Sequence, residues 1–253
     1  MDKNILHTIA AKLRPLVEAR KRERPIEEFS TPGPRSFRAA LPGIIAELKK
    51  ASPSKGLIRE DFRPVELARE LEAAGAAALS VLTEPNYFLG SCGILSEVAK
   101  TVKLPLLRKD FIFDDYQLRE AREYGASAVL LIAALLDQPT LAKLAENARR
   151  YGLDVLGEAH TADEVARLLD TPVTMIGVNA RNLATFATDL GTVEKLIRLV
   201  PPERCPVAES AIREHADIVR LRECGAQGFL IGETLMRAPS PGAKLGELLD
   251  DGI

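Results

Sequence analysis

The chain has 253 residues, 46% of them hydrophobic and 28% charged, the balance of an ordinary globular protein. A formal net charge of −2 offers no global field for nucleic acid or an anionic membrane, and no run approaches the ~18 apolar residues of a membrane span. The opening MDKNILHTIAAKLRPLVEARKRER lacks a secretory signal's apolar core, and the scattered Cys92, Cys205 and Cys224 give no metal-ligand spacing with three histidines, so a cytoplasmic protein without a structural metal is expected.

Ile5, Ile9, Leu13, Leu16 and Val17 recur near helical spacing and predict a helix from Lys3 to about Arg24. Pro25, Pro32 and Pro34 mark a connecting stretch, and a second short helix is expected over Ser36 to Leu41. From Gly43 onward short β-branched or Leu-rich runs alternate with longer amphipathic segments, the pattern of βα units around a parallel sheet. The candidate strands are 43–48, 77–82, 105–109, 126–132, 154–158, 174–178, 206–209 and 228–232. A helical segment follows each, and several end in Gly75, Gly125, Gly152 or Gly225, the residue that best adopts the left-handed stop. Thr161-x-x-Glu164 reads as a capping box opening the fifth of these helices.

Eight βα units in about 200 residues fit a closed (β/α)8 TIM barrel. A doubly wound open sheet is the alternative, but no switch point is evident. One α/β domain is expected over 1–253, with 1–42 as an N-terminal helical extension.

In such a barrel the active site lies at the C-terminal ends of the strands, where residues two apart share a face. In the first strand Ile45, Glu47 and Lys49 fall together, and in the third Leu107 aligns with Lys109. In the fifth, sixth and seventh, Leu156 aligns with Glu158, Gly177 with Asn179 and Val207 with Glu209. Lone charges at strand ends are commonly solvated loop residues; five strands each aiming a polar residue inward argue for a site. Charges buried there must pair with each other or with a ligand. After the last two strands, Ser210-Ala211 and Gly232-Glu233-Thr234 suit a phosphate held by backbone N–H groups, although Gly and Ser also make plain turns. The loop SPSKGLIREDF, in a connection of about fifteen residues, reads equally as a basic flap over an anionic ligand or as a solvated surface loop.

The blocks IIAELKKASPSKG (44–56), TEPNYFLGS (83–91), LRKDFIFDDYQ (107–117), IGVNARNL (176–183) and VAES (207–210) resemble the indole-3-glycerol phosphate synthase family, and the likeness spans essentially the whole chain. The resemblance implies ring closure of 1-(2-carboxyphenylamino)-1-deoxyribulose 5-phosphate to indole-3-glycerol phosphate, with loss of carbon dioxide and water and without cofactor or metal. It implies that Lys109 is the general acid at the ribulose carbonyl and Glu158 the base in the dehydration. Lys49 matches a lysine at the substrate carboxylate that is also an alternative acid, and Glu47 a glutamate that supports the lysines and the anilino nitrogen. Asn179 and Arg181 match residues that orient the substrate, Arg181 towards its carboxylate. Glu209 and Ser210 match contacts to the sugar hydroxyls and phosphate, Ser52 a loop residue near the ligand, and Gly232-Glu233 the phosphate turn. Phe88, Phe111 and Leu130 are candidates to wall the aromatic ring.

A lysine acid works best if not too basic, so a neighbouring cation and partial burial are expected to lower Lys109 towards working pH, with a nearby glutamate opposing that shift. Two departures stand out: Ala211 lies where the family usually has Gly, and Ala180 where a polar residue is common. The related phosphoribosylanthranilate isomerase would need a Cys/Asp acid–base pair and no Glu-x-Lys on strand one. A barrel that binds a phosphorylated ligand without turnover is the non-enzyme alternative. Expected partners are a small phosphorylated substrate, no nucleic acid and no membrane, in a monomer or weak homo-oligomer.

Overall fold

The computed structural model describes residues 3–30, 33–179 and 189–249. Each predicted strand forms, within a residue or two of its expected limits: β1 (Gly43–Leu48), β4 (Ala78–Leu82), β5 (Leu106–Lys109), β6 (Ala128–Ile132), β7 (Asp154–Ala159), β8 (Met175–Val178), β9 (Pro206–Ala208) and β10 (Gly228–Ile231). A two-residue hairpin, β2 (Ala51–Ser52) and β3 (Gly56–Leu57), lies in the first loop. β1 pairs in parallel with both β10 and β4, which closes the barrel in the order β1-β10-β9-β8-β7-β6-β5-β4 and excludes the open sheet.

Outside the barrel lie α2 (Pro64–Ala73), α3 (Cys92–Ala99), α4 (Asp115–Glu123), α5 (Gln138–Arg150), α6 (Ala162–Leu169), α7 (Leu190–Ile197), α8 (His215–Glu223) and α10 (Pro241–Leu249). A short α9 (Glu233–Arg237) follows β10 directly. The four glycines that close helices take left-handed φ angles between 74° and 106°, where a Cβ would be strained. The Thr161 box forms only in part. Thr161 Oγ1 accepts from the Glu164 N–H at 3.2 Å, but the Glu164 carboxylate accepts from the N–H of His160 (2.7 Å), one residue earlier than a reciprocal box requires.

Strand alternation separates two apolar cores. Ile45, Ala78, Leu107, Leu130, Leu156, Met175, Val207 and Leu230 fill the barrel interior. Ile44, Leu79, Leu131, Ile176 and Phe229 point outward, against the helices.

The N-terminal segment serves both ends of the barrel. In α1 (Lys3–Glu23), Leu6, Ile9 and Leu13 bury in the inner cluster, Lys12 lies over the Tyr87 ring and Arg14 over Phe113. The buried stripe therefore runs through Leu6, Ile9, Leu13 and Val17, whereas Leu16 is turned 40% into solvent. The expected helix over 36–41 is a single 3-10 turn, Arg38–Ala40. There Phe37 and Leu41 plug the bottom of the barrel, and the Arg38 N–H donates to Asp154 at the start of β7.

Arg108 faces outward on β5 and is fully buried. Its guanidinium lies 2.9 Å from both Asp110 and Glu120 and donates to the Gln117 carbonyl at 2.8 Å. Glu120 also meets Arg20 of α1 at 2.7 Å, and beside it burial pushes the Cys92 thiol up to about 12. This network ties α1, α3, β5 and α4 together behind the barrel mouth. Removing one member strands buried charges, so Arg108→Ala is expected to lower the unfolding free energy by about 3–5 kcal/mol in urea melts, and Arg108→Met by less.

Candidate active site

β1 carries Glu47 and Lys49 to the rim on one face, where Glu47 Oε1 and Lys49 Nζ lie 2.7 Å apart. Lys109 ends β5, with its ammonium 3.3 Å from Glu158 Oε2 on β7 and 3.1 Å from Glu209 Oε2 beyond β9. All five side chains are nearly enclosed. Two glycines make room for them. A Cβ on Gly177 would fall 1.8 Å from Glu209 Oε1, and one on Gly232 would fall 2.3 Å from Glu47 Oε1. Gly232 thus clears space for the Glu47–Lys49 pair, a different service from the close phosphate approach expected of it.

Burial opposes charge on every group here, and the pairings decide the outcome. For Lys109 desolvation pulls the pKa down, but Glu209, Glu158 and Glu47 together outweigh it and hold the ammonium above its ordinary range. The expected lowering of Lys109 is therefore reversed, because three carboxylates surround it. Burial would raise Glu158, yet Lys109 and then His160 hold it below the usual carboxylate range. Glu209 has the same lysine but faces Glu158 as well; burial and that like charge push it up to about 8. The two carboxylates share one cation and titrate as a pair, Glu158 held low and Glu209 pushed up.

Two adjoining cavities meet at this cluster, and Glu47, Lys49, Glu209 and Leu230 border both. One has an apolar wall of Leu6, Phe88, Phe111, Leu130 and Ile132, with Ser52, Asn179 and His160 also on its lining. Phe88 and Phe111 pack against each other in this wall, their ring centroids 6.1 Å apart at a tilt of 44°. The other is lined by Ser210, Ala211, Gly232, Glu233 and Thr234 with the cations Lys55, Arg213 and Arg237. Ser210 Oγ is buried there without a hydrogen-bond partner among the described residues. Glu233 turns its carboxylate to Arg237 (2.9 Å) and Lys55 (3.8 Å), leaving the start of α9 as its contribution to an anion. One cavity suits a flat apolar group and the other an anion, with proton-transfer groups between them.

The first loop is more ordered than either expectation. Its hairpin brings Ser52 and Ser54 to the cavity, their hydroxyls 3.4 Å apart. Of its two basic residues Lys55 faces the anion cavity, whereas Arg59 donates to the Met236 and Ala238 carbonyls and anchors the loop. Arg181 and Ala180 lie outside the described residues.

Three contributors escaped the sequence reading. Leu6 reaches the cavity from the N-terminal helix. Glu84, fully buried, accepts from the N–H groups of Asn86, Tyr87 and Phe88 and so shapes the loop that presents Phe88. His160 lies 3.4 Å from Glu158. The two-apart rule that aligned Leu156 with Glu158 reaches His160 if carried one step past the strand.

A closed parallel barrel with paired acids and bases in its mouth, between an aromatic and a cationic cavity, defines a (β/α)8 enzyme. The family model for indole-3-glycerol phosphate synthase matches residues 6–248. Indole-3-glycerol phosphate synthase of Koribacter versatilis is 52% identical, over 85% of this chain and 86% of that one. Its counterpart from Aliarcobacter butzleri is 51% identical, over 78% and 75%. The chain belongs to the indole-3-glycerol phosphate synthase family, carboxy-lyases of tryptophan biosynthesis. Among solved structures, a thiamine phosphate pyrophosphorylase from Pyrococcus furiosus (TM-score 0.62, 15% identity, 84% of this chain and 96% of that) shares the fold. So does a 3-hexulose-6-phosphate synthase (TM-score 0.64, 15% identity, 81% and 97%).

Two outcomes follow from this geometry. Folded Glu209 keeps its proton to about 8, whereas an unfolded glutamate loses it near 4.5. Between those values the unfolded chain binds fewer protons, so stability falls as pH rises through this window and then levels. Glu209→Gln removes that titration; its melting temperature relative to the parent should climb from pH 4.5 to 8. Glu158, held low, acts in the opposite sense and only as pH falls below its unfolded value. Ala211 sits at φ 69°, the left-handed region that favours glycine. Ala211→Gly trades a strain of about 1–2 kcal/mol for an entropy cost of about 0.5–1 kcal/mol, a net gain of up to about 1.5 kcal/mol in urea melts.

Proposed function

We propose that this chain closes the indole ring, converting 1-(2-carboxyphenylamino)-1-deoxyribulose 5-phosphate into indole-3-glycerol phosphate with release of carbon dioxide and water. The observation that carries this reading is the junction itself: Lys109, Glu158 and Glu47–Lys49 stand where an aromatic-walled cavity meets a cationic one. A substrate with an aromatic ring at one end and a phosphate at the other would place its reacting carbons between them. Family membership supplies the identity of that substrate.

In this reading Phe88, Phe111 and Leu130 receive the carboxyphenyl ring, and Lys49 faces its carboxylate, with Glu47 holding the lysine in place. Ser210, Ala211 and the start of α9 take the phosphate, with Lys55, Arg213 and Arg237 supplying positive charge. Glu209 and Asn179 orient the sugar, Ser52 closes the loop side, and Arg181 assists at the carboxylate. As the ring carbon attacks the ribulose carbonyl, negative charge grows on its oxygen and Lys109 protonates it. The developing alkoxide is a far stronger base than an amine. The transfer therefore runs downhill even from a lysine held above its usual range, which is how a basic lysine serves as the acid. Carbon dioxide then leaves the ring carbon that has bonded, and its electron pair restores the aromatic ring. The hydroxyl departs as water with a proton from a lysine ammonium, while Glu158, held ionised, accepts the proton lost from the neighbouring carbon of the new ring. The proposal extends to a single-domain monomer or weak homo-oligomer in the cytoplasm, where a biosynthetic enzyme of this family would work.

Product formation can be followed by indole fluorescence against a low background, since the chain has no Trp. Lys109→Ala is expected to reduce kcat at least ~10²-fold with unchanged circular dichroism. Residual kcat near that of the parent would put the acid elsewhere. Tight substrate binding by the parent with no turnover would overturn the enzymatic reading.

A further inference from the structure

We infer that His160 is a positioning residue for Glu158: it holds the second carboxylate oxygen and thereby fixes the orientation and ionisation of the base. The inference rests on the assignment of Glu158 as base given above. The two oxygens of Glu158 face different partners. Oε2 meets the Lys109 ammonium at 3.3 Å, and Oε1 lies 3.4 Å from His160 Nε2. Nδ1 is buried 3.5 Å from Glu164 Oε2 on α6, without a hydrogen-bond partner among the described residues, so the ring stands between two carboxylates. That same Glu164 oxygen accepts from the His160 backbone N–H at 2.7 Å and so anchors the residue through its main chain.

Glu164, His160, Glu158 and Lys109 thus form a line of alternating charge type from α6 across the rim to β5. A base that is oriented by a third group, itself anchored by a carboxylate, is a recurring catalytic arrangement. The side chain of His160 is nine-tenths buried and lines the apolar cavity, so its ring has few other positions to occupy. Nothing in the fold demands an imidazole here: the turn into α6 is already capped by Thr161 and Glu164 through backbone groups. Among the described residues, the charged groups that face His160 are Glu158 from β7 and Glu164 from α6, with Lys109 and Glu209 beyond Glu158 and Arg167 behind Glu164. His160 is one of the groups that hold Glu158 low, so without the imidazole the base would pick up a proton at higher pH.

The test measures kcat and KM of His160→Ala, His160→Gln and Glu158→Gln across the pH range, alongside the parent protein. His160→Ala should lower kcat about tenfold near neutral pH, a fraction of the ~10²–10⁴ that a positioned base supplies, with KM within about twofold. Its acidic kcat limb should move to higher pH. His160→Gln keeps a donor for Oε1 but cannot become charged; it should recover most of kcat at high pH while keeping the displaced limb. A His160→Ala protein with the parent's kcat and the parent's acidic limb would overturn the inference. Should the alanine variant fail to fold, His160→Gln decides: an undisplaced limb overturns the inference, and a displaced one supports it. Glu158→Gln with full activity would instead sink the assignment of Glu158 as base, and is read independently of the histidine variants.

Discussion

The mouth of this barrel depends on one constraint, the cost of placing three carboxylates and two ammonium groups where little water reaches them. An isolated buried charge costs several kcal/mol even after relaxation, and a pair is tolerated only when geometry is close. Lys109 resolves the problem by serving Glu158 and Glu209 together, while Glu47 and Lys49 satisfy each other. Where the Glu158–Glu209 pair holds one proton between them, two cations face two anions and the cluster is neutral. Barrel geometry makes this possible, because strands β1, β5, β7 and β9 deliver charges from different directions onto a common centre. Gly177 and Gly232 are part of the same solution: without their missing Cβ atoms the carboxylates could not lie where the lysines reach them.

A second set of charges, on the opposite face of β5, shows how one strand can do two jobs. Lys109 turns in and Arg108 turns out, each buried and each meeting more than one carboxylate. The outer network holds α4 and α1 against the barrel, and the loops that leave β4 and β5 bring Phe88 and Phe111 to the cavity. Rigidity of the scaffold and placement of the reactive amine are therefore coupled through adjacent residues.

Much of this was legible in the sequence, for physical reasons that can be named. The strands announce themselves as short apolar runs, and alternation within them was enough to bring Glu47, Lys49, Lys109, Glu158, Asn179 and Glu209 onto one rim. What stayed hidden depends on counting neighbours in three dimensions. The direction of the Lys109 shift needed the number of carboxylates around it, which no single strand reveals. Arg108 reads in sequence as one more charge at a strand end, and only the packing of α4 shows it to be enclosed. Leu16 fits helical spacing as well as Leu6 does, yet which stripe is buried depends on where the helix rests. Thr161-x-x-Glu164 matched a capping box, but the glutamate bonded one residue further back and so came to lie beside His160.

The N-terminal segment carries a consequence of another kind. Leu6 touches the cavity at the mouth, whereas Phe37 and Leu41 seal the opposite end, so residues between them must traverse the full height of the barrel. Tyr116, whose hydroxyl donates to the Arg20 and Arg24 carbonyls, and Phe29, edge-on to Tyr151, fasten that passage midway. The segment therefore works as a brace: whatever loosens its hold on α4 would unsettle the roof of the aromatic cavity and the stopper at the base together, although the two lie at opposite ends of the barrel.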